Sequence, residues 1–170
     1  MKKRIYLANG LFSIADRKFN EEIYNKLKEK LGEDVEIYAP QFNLAINDKT
    51  KSASSIDIYN GDTEKLEWAN ILLAVLDGED LGVATEIGFV AGWNDAYRTE
   101  PEKQKIIVGI YTDNRDISKT YSEDKNKDMQ SCGVAECQYP YINLYTVGAV
   151  KNYGKLFAMP EDAIDYISKL

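Results

Sequence analysis

Residues 80–89, which read DLGVATEIGF, are the stretch that decides the fold of this 170-residue chain. The apolar residues 71–76 lead into it, and a helical pattern over residues 82–97 leads out of it. The junction therefore places two carboxylates, Asp80 and Glu86, where a buried strand gives way to a helix. In open α/β sheets, ligands bind outside the carboxyl ends of the strands. This junction is the first candidate for a functional site.

The same alternation of strand and helix runs through the rest of the chain. Short apolar runs predict strands over residues 4–8, 35–38, 70–76, 105–111 and 155–158. Helical spacing predicts helices that begin at Ser13, at Ser54 or Ser55, near Gly82, after Asn143 and at Pro160. The second helix carries Gly61, where we expect an interruption. The alternation predicts one α/β domain over residues 1–170, with a parallel sheet of five strands and helices on both faces.

Composition narrows both the partners and the chemistry. The net charge of −7 argues against nucleic acid as a partner, since a phosphate backbone is itself negative. No apolar run has the length of a membrane span, and residues 1–4 run directly into a strand, so we expect a cytoplasmic protein without membrane contact. The lack of histidine excludes Ser-His-Asp and Cys-His catalysis and any His-based metal site. Acid–base chemistry must then come from carboxylates, Tyr, Lys or Cys.

Two polar segments interrupt the alternation. Residues 41–53 form a long loop with little periodicity, and such loops in compact domains are usually functional or disordered. Residues 112–138 are rich in charged side chains and predict an exposed insertion. The insertion holds both cysteines, Cys132 and Cys137. Because a C-x4-C pair without further ligands is a poor zinc signal, we interpret them as ordinary thiols and expect no metal site.

Four polar residues are expected to meet at the carboxyl end of the sheet. They are Tyr6 in the first strand, Asp62 in the helix before the third strand, and Asp80 and Glu86 around the turn after it. Carboxylates in one cleft push their pKa values apart, so that one stays an anion while another stays protonated. This arrangement suits cleavage of a glycosidic bond, in which one carboxylate attacks the anomeric carbon and another protonates the leaving group. The alternative is that all four residues are structural.

The motifs of other ligand sites at such a turn are missing from the sequence. Residues 8–13 read ANGLFS, and their one glycine does not make the G-x-G-x-x-G of a dinucleotide site. The GK[ST] ending of a P-loop and the G-x-S-x-G of a nucleophile elbow are absent as well. The first strand is followed by no Ser/Thr-rich loop for FMN, and it lacks the acidic residues of a phospho-acceptor site. These absences leave glycosidic chemistry as the favoured interpretation.

At the same positions the sequence resembles the nucleoside 2-deoxyribosyltransferase family. The resemblance covers nearly the whole chain in order, and it rests on residues 5–8 (IYLA), 11–13 (LFS), 59–62 (YNGD), 80–88 (DLGVATEIG) and 142–144 (INL). The D-x-G-x-x-x-E-x-G pattern of residues 80–88 is the most specific of these segments. The resemblance implies a flavodoxin-like three-layer sandwich.

The resemblance also implies a catalytic role for three residues. Glu86 would be the nucleophile that attacks C1′ of a 2′-deoxynucleoside, and Tyr6 would orient it. Asp62 would protonate the departing base and then deprotonate the incoming purine or pyrimidine. The implied reaction is transfer of 2-deoxyribose between bases by double displacement, through a covalent deoxyribosyl-Glu intermediate, and it requires no metal or organic cofactor.

Four further residues are implied in substrate binding. Asp80 would hydrogen-bond a deoxyribose hydroxyl, and Gly82 and Phe12 would line the same site. Asn143 would reach the sugar site of a neighbouring copy, which implies a homo-oligomer built from dimers, up to a hexamer. Base-contacting residues are expected in the loop 41–53, and purine-only specificity and mixed specificity both stay open.

Two other functions compete with transfer. One is hydrolysis of the N-glycosidic bond in deoxynucleosides or deoxynucleoside 5′-monophosphates. Relatives that cleave the monophosphates carry Ser where this chain has Asp80, and an Asp there repels a phosphate, so an unphosphorylated nucleoside is favoured. The other is a nucleoside-sensing module that has lost catalysis. The joint presence of Tyr6, Asp62 and Glu86 argues against that module.

Overall fold

Five parallel strands form one sheet in the computed structural model, which describes residues 2–43, 53–113 and 142–170. The strand order is β2-β1-β3-β4-β5, and every neighbouring pair is parallel. The strands are β1 (Lys3–Ala8), β2 (Val35–Tyr38), β3 (Ile71–Val75), β4 (Ile106–Ile110) and β5 (Gly154–Phe157). The predicted sheet is confirmed, and each strand end lies within one residue of its predicted position.

Within the described residues, five α-helices connect and cover the strands. They are α1 (Ile14–Leu31), α2 (Ser55–Trp68), α3 (Leu81–Ala96), α4 (Leu144–Tyr153) and α5 (Pro160–Lys169). Ser13 and Ser54 each form a capping box with an Asp three residues later, which satisfies two backbone donors at each helix start. Within the described ranges, every helix is too short or too polar to span a membrane.

Gly61 does not interrupt α2, so that expectation was wrong. The helix is continuous from Ser55 to Trp68. A glycine inside a helix costs only about 1 kcal/mol relative to alanine. The capping box at Ser54 and the buried Leu66 stabilise the helix on either side of Gly61, and they outweigh that cost.

The sheet separates two hydrophobic layers. The core of one layer includes Tyr6 and Ala8 from β1 and buried side chains of α2, α3 and α4. The core of the other includes Ile5 and Leu7 from β1 and buried side chains of α1 and α5. Successive side chains of a strand point to opposite faces, which places Tyr6 on the side of α2 and α3. The flavodoxin-like three-layer sandwich is therefore confirmed.

The strand order creates a switch point between β1 and β3. The chain leaves β1 to build β2 on one side, and it returns to build β3 on the other side of β1. The connections at the carboxyl ends of β1 and β3 therefore run in opposite directions and leave a crevice between them. The β3–α3 turn, with Asp80 as the N-cap of α3, lies at this crevice.

Several predictions concern segments outside the described residues. Residues 44–52 of the loop 41–53 and residues 114–141, which hold Cys132, Cys137 and most of the segment 112–138, are not described. The exposed insertion and the single domain over residues 1–170 stay predictions.

Candidate active site

A cleft of about 240 Å³ opens at the switch point between β1 and β3. It is bounded by the β1–α1 connection, the end of β2, one side of α2 and the first turns of α3. Its lining residues are Asn9, Gly10, Leu11, Phe12, Tyr38, Pro40, Ile58, Asp62, Asp80, Gly82, Val83 and Glu86. Five of the seven site residues predicted from the sequence thus line one cleft: Phe12, Asp62, Asp80, Gly82 and Glu86.

Tyr6 lies beneath the cleft and reaches Glu86 from below. Its side chain is fully buried, and its hydroxyl donates a hydrogen bond of 2.5 Å to Glu86 Oε1. A length of 2.5–2.7 Å is typical of a hydroxyl bonded to a carboxylate ion. Burial raises the pKa of Tyr6, and the negative charges of Glu86 and Asp62 raise it further, so this phenol keeps its proton. We call Tyr6 and Glu86 the Tyr6 pair.

Glu86 has the raised pKa expected of a carboxylate held away from water. Burial raises its pKa to about 7, and the charges of Asp62 and Asp80 act in the same direction, while the hydrogen bond from Tyr6 lowers it. Within the described residues, no hydrogen-bond donor contacts Oε2 of Glu86. Tyr6 therefore holds one oxygen of the carboxylate and leaves the other for a ligand.

Asp62 is hydrogen-bonded to a second tyrosine, Tyr38. The Tyr38 hydroxyl donates to Asp62 Oδ1 over 3.1 Å, and the Asn43 amide donates to the Tyr38 oxygen over 3.0 Å. Burial raises the pKa of Asp62, and the hydrogen bond from Tyr38 opposes this rise. Burial also raises the pKa of Tyr38 to about 12. We call Tyr38 and Asp62 the Tyr38 pair.

The two pairs are held side by side by the sheet. Tyr6 and Tyr38 are register partners on adjacent parallel strands, and their rings lie 5.2 Å apart between centroids. Tyr38 was missed in the sequence, although its position at the carboxyl end of β2 is a usable signal. That signal requires knowledge that β2 lies next to β1, which a list of strands in chain order does not provide.

Asp80 serves as the N-cap of α3. Its Oδ1 accepts hydrogen bonds from the backbone N–H groups of Gly82 at 2.7 Å and Val83 at 3.1 Å. A Cβ at position 82 would lie 2.8 Å from that oxygen, so only glycine permits this close approach. No donor among the described residues contacts Oδ2 of Asp80, which leaves that oxygen to meet a ligand.

Phe12 and Asn143 occupy the periphery. Phe12 lines the cleft at its mouth, with 76% of its surface exposed. Asn143 is the exposed N-cap of α4, where its Oδ1 accepts from the N–H of Tyr145 at 2.9 Å. It lines a separate cavity of about 240 Å³ that shares Asp80 with the cleft. Within this one chain, Asn143 is therefore not part of the Glu86 cleft.

A second cavity, of about 340 Å³, opens between α2 and α3 on the other side of the two carboxylates. It shares Asp62, Gly82 and Glu86 with the cleft, and apolar side chains of Leu66 and Phe89 extend it. Asp62 and Glu86 thus stand where two open spaces meet.

Asn20 is a second residue that sequence reasoning missed. This buried amide donates to the Gly10 carbonyl and to Gln41 Oε1, and its own oxygen accepts from Asn9. It thereby joins the β1–α1 connection to the turn that carries Gln41. The Gln41 side chain thus makes a structural hydrogen bond with Asn20, and the Phe42 ring packs edge-on against the Tyr24 ring.

The chemistry open to this site is acid–base and nucleophilic. Among the described residues, no group of three or more His, Cys, Asp or Glu side chains is arranged to hold a metal ion. Two neighbouring carboxylates, each bonded to a tyrosine and each with a pKa raised by burial, can serve as a nucleophile or as a proton carrier.

Comparison with known proteins identifies a matching family and a similar solved structure. A family model described as nucleoside 2-deoxyribosyltransferase matches residues 5–136. A solved structure of a conserved protein from Enterococcus faecalis V583 is 34% identical, with 99% of both chains covered and a TM-score of 0.75. No curated protein matches the chain.

The fold also occurs in an enzyme of known activity. The 2-deoxyribosyltransferase from Bacillus psychrosaccharolyticus has a TM-score of 0.57 at 16% identity, with 96% of this chain and 91% of that chain covered. This likeness concerns the fold. The family model, which spans most of the chain, decides the family. The chain belongs to the nucleoside 2-deoxyribosyltransferase family.

Proposed function

We propose that this protein transfers 2-deoxyribose from one nucleobase to another by double displacement, with Glu86 as the nucleophile. The family to which it belongs acts on nucleosides. The observation that carries the proposal is the Tyr6 pair: a half-buried glutamate held at one oxygen by a phenol over 2.5 Å, in the same cleft as Asp62 and Asp80.

In the first half-reaction, Glu86 in its ionised form attacks C1′ and forms a C1′–O bond. The C1′–N bond breaks, and its electron pair goes to the base nitrogen, which takes the proton of Asp62. The transition state resembles an oxocarbenium ion, so the carboxylate beside it stabilises it electrostatically. In the second half-reaction, Asp62 removes a proton from the incoming base, whose nitrogen attacks C1′ and releases Glu86.

The position of the two carboxylates suits this substrate. A nucleoside consists of a sugar and a base joined by the bond that breaks, and Asp62 and Glu86 stand where the cleft and the second cavity meet. Burial makes the ionised Glu86 carboxylate less stable, because the charge is poorly solvated. Attack on C1′ converts this carboxylate into a neutral ester, so burial favours the covalent step.

Asp80 supports an unphosphorylated substrate. The N-terminus of a helix is a ready anion site, because its N–H groups and its dipole both attract negative charge. Here the carboxylate of Asp80 already accepts from the Gly82 and Val83 N–H groups at the start of α3. A 5′-phosphate would have to displace that carboxylate or lie next to it, at an electrostatic cost.

Incubation with deoxyinosine and adenine, followed by chromatography of the products, tests the proposal. We expect deoxyadenosine to form at a rate that depends on adenine. Release of hypoxanthine that does not depend on adenine would instead identify a hydrolase. Lack of turnover with every deoxynucleoside and deoxynucleotide tried would contradict both enzyme functions.

The proposal extends to assembly, with Asn143 completing the sugar site of a neighbouring copy. Asn143 is exposed outside its own chain's cleft, next to the exposed apolar side chains of Leu81 and Tyr145. Mixing Glu86→Ala with Asn143→Ser, which keeps a good N-cap, should give more activity than the two variants give separately. Mixed oligomers would then contain sites with an intact Glu86 and an intact Asn143. Strictly additive activity, or a monomer in solution, would contradict this extension.

A further inference from the structure

The Tyr38 hydroxyl has one hydrogen, and its neighbours determine where that hydrogen points. The Asn43 amide donates to the Tyr38 oxygen, so the hydroxyl hydrogen cannot point at Asn43. It is donated to Asp62 Oδ1 instead. An oxygen that accepts this hydrogen is a poor place for the carboxyl proton of Asp62, which leaves Oδ2 to carry it.

The bond from Tyr38 to Asp62 also has room to strengthen. At 3.1 Å it is long for a hydroxyl bonded to a carboxylate ion, whereas the Tyr6 bond to Glu86 is already 2.5 Å. When Asp62 gives up its proton, it becomes negatively charged, and the hydrogen bond that it accepts from the Tyr38 hydroxyl becomes stronger. An interaction that grows as the proton leaves lowers the barrier to protonation of the base.

We propose that Tyr38 is a positioning residue for departure of the base: oriented by Asn43, it fixes the proton of Asp62 on Oδ2 and stabilises the Asp62 carboxylate that forms as the base takes that proton. The proposal rests on the proposed function, because it assigns a role in its acid step. The proposal assigns different roles to Tyr6 and Tyr38. Tyr6 acts on the nucleophile in every reaction, and Tyr38 acts only when Asp62 transfers a proton.

The sheet supports this division. Tyr38 is held by its ring contact with Tyr6 and by the backbone of β2, so loss of its hydroxyl alone leaves the ring in place. Tyr38→Phe therefore removes the hydrogen bond with little change in packing. Asn43→Ala leaves the hydroxyl but removes the group that directs it, and it serves as a second, milder variant.

The test compares two leaving groups. Deoxyinosine must receive a proton as its base departs, whereas the base of 7-methyl-2′-deoxyguanosine carries a positive charge and departs as a neutral molecule. Initial rates of base release are measured for both substrates, in the presence of an acceptor base and with enzyme-free blanks subtracted. The proteins compared are the wild type, Tyr38→Phe, Asn43→Ala and the matched control Tyr6→Phe, each checked for folding by circular dichroism.

We expect Tyr38→Phe to lower kcat/KM for deoxyinosine by roughly tenfold, the amount typical of one lost hydrogen bond to a charged group, and to leave 7-methyl-2′-deoxyguanosine nearly unaffected. Asn43→Ala should show the same selectivity to a smaller extent, while Tyr6→Phe should slow both substrates alike. Equal losses for both substrates in a folded Tyr38→Phe protein, or in Asn43→Ala if Tyr38→Phe does not fold, would overturn the inference. A wild type inactive on both substrates would overturn the proposed function instead.

Discussion

The Tyr6 pair and the Tyr38 pair use the same two chemical groups in different surroundings. Tyr6 is fully buried, and its bond to Glu86 is 2.5 Å long. Among the residues that the structure describes, no other side chain donates to either group. Tyr38 is half-buried, its bond to Asp62 is 3.1 Å long, and Asn43 donates to its hydroxyl. One pair is tight and enclosed, and the other is looser and part of a chain of hydrogen bonds.

The difference matches the two tasks proposed for Glu86 and Asp62. A nucleophile benefits from one fixed orientation, since misplacement of the attacking atom slows the reaction steeply. A residue that gives a proton to one base and takes a proton from another must be accessible from the cleft and stable in both protonation states. The same tyrosine–carboxylate pair can serve either task, and burial and the third partner determine which one it serves.

The largest effect is expected from removal of Glu86, the proposed nucleophile. Glu86→Ala should lower turnover by roughly 10⁴-fold or more, because it removes the carboxylate that would form the covalent bond to C1′. Thermal unfolding should show a folded protein, since a half-buried charge is removed rather than a core side chain. Glu64→Ala, which removes an exposed carboxylate of α2, is the matched control. Appreciable activity of Glu86→Ala would remove Glu86 from its assigned role.

Loss of the Tyr6 hydroxyl should be the next largest effect and should change the pH dependence. Tyr6→Phe should lower kcat by roughly ten- to a hundredfold. The proposed mechanism requires Glu86 as an anion, so activity should fall as the pH drops below its pKa of about 7. The Tyr6 hydrogen bond lowers that pKa, so its removal should move the acid limb of the pH–rate profile to higher pH. An acid limb that stays in place or moves to lower pH would contradict the account of the Tyr6 pair.

A smaller effect is expected from the charge of Asp80. Asp80→Asn keeps a side chain that caps a helix well and removes the negative charge. The ratio of activity on deoxynucleoside 5′-monophosphates to activity on deoxynucleosides should rise by roughly tenfold. Glu33→Gln makes the same change in net charge at the amino end of β2 and should leave the ratio unchanged. An unchanged ratio in Asp80→Asn would show that Asp80 does not exclude phosphate.

The smallest effect on rate is expected from Asn20, which acts on the surroundings of the Tyr38 pair. Asn20→Ala removes the link between the β1–α1 connection and the turn before Asn43. It should lower the free energy of unfolding by about 1–3 kcal/mol, the cost of buried groups left without partners. KM should rise a few-fold with kcat little changed. The exposed Asn25→Ala on the same helix should change neither quantity, and a large fall in kcat for Asn20→Ala would contradict this account.

The sequence was most informative where one short segment contains both the fold signal and the chemistry. The apolar run before residues 80–88 predicted the strand, and the motif itself predicted the helix start and the two carboxylates Asp80 and Glu86, because all of these depend on local spacing. Tyr38 and Asn20 could not be found this way. The partner of each comes from a segment distant in the chain, and only the strand order brings those segments together. The role of Asn143 is also beyond what local spacing can predict, since its proposed role depends on a neighbouring copy of the chain.

The most direct test of the account is detection of the covalent intermediate on Glu86. The protein is incubated with deoxyinosine without an acceptor base, quenched in acid, and examined by intact-mass and peptide mass spectrometry. We expect a mass increase of one deoxyribosyl group on the peptide that contains Glu86, which disappears when adenine is added before the quench and is absent in Glu86→Gln. A wild type that turns over deoxyinosine without such an adduct, or with the adduct on another residue, would contradict the account.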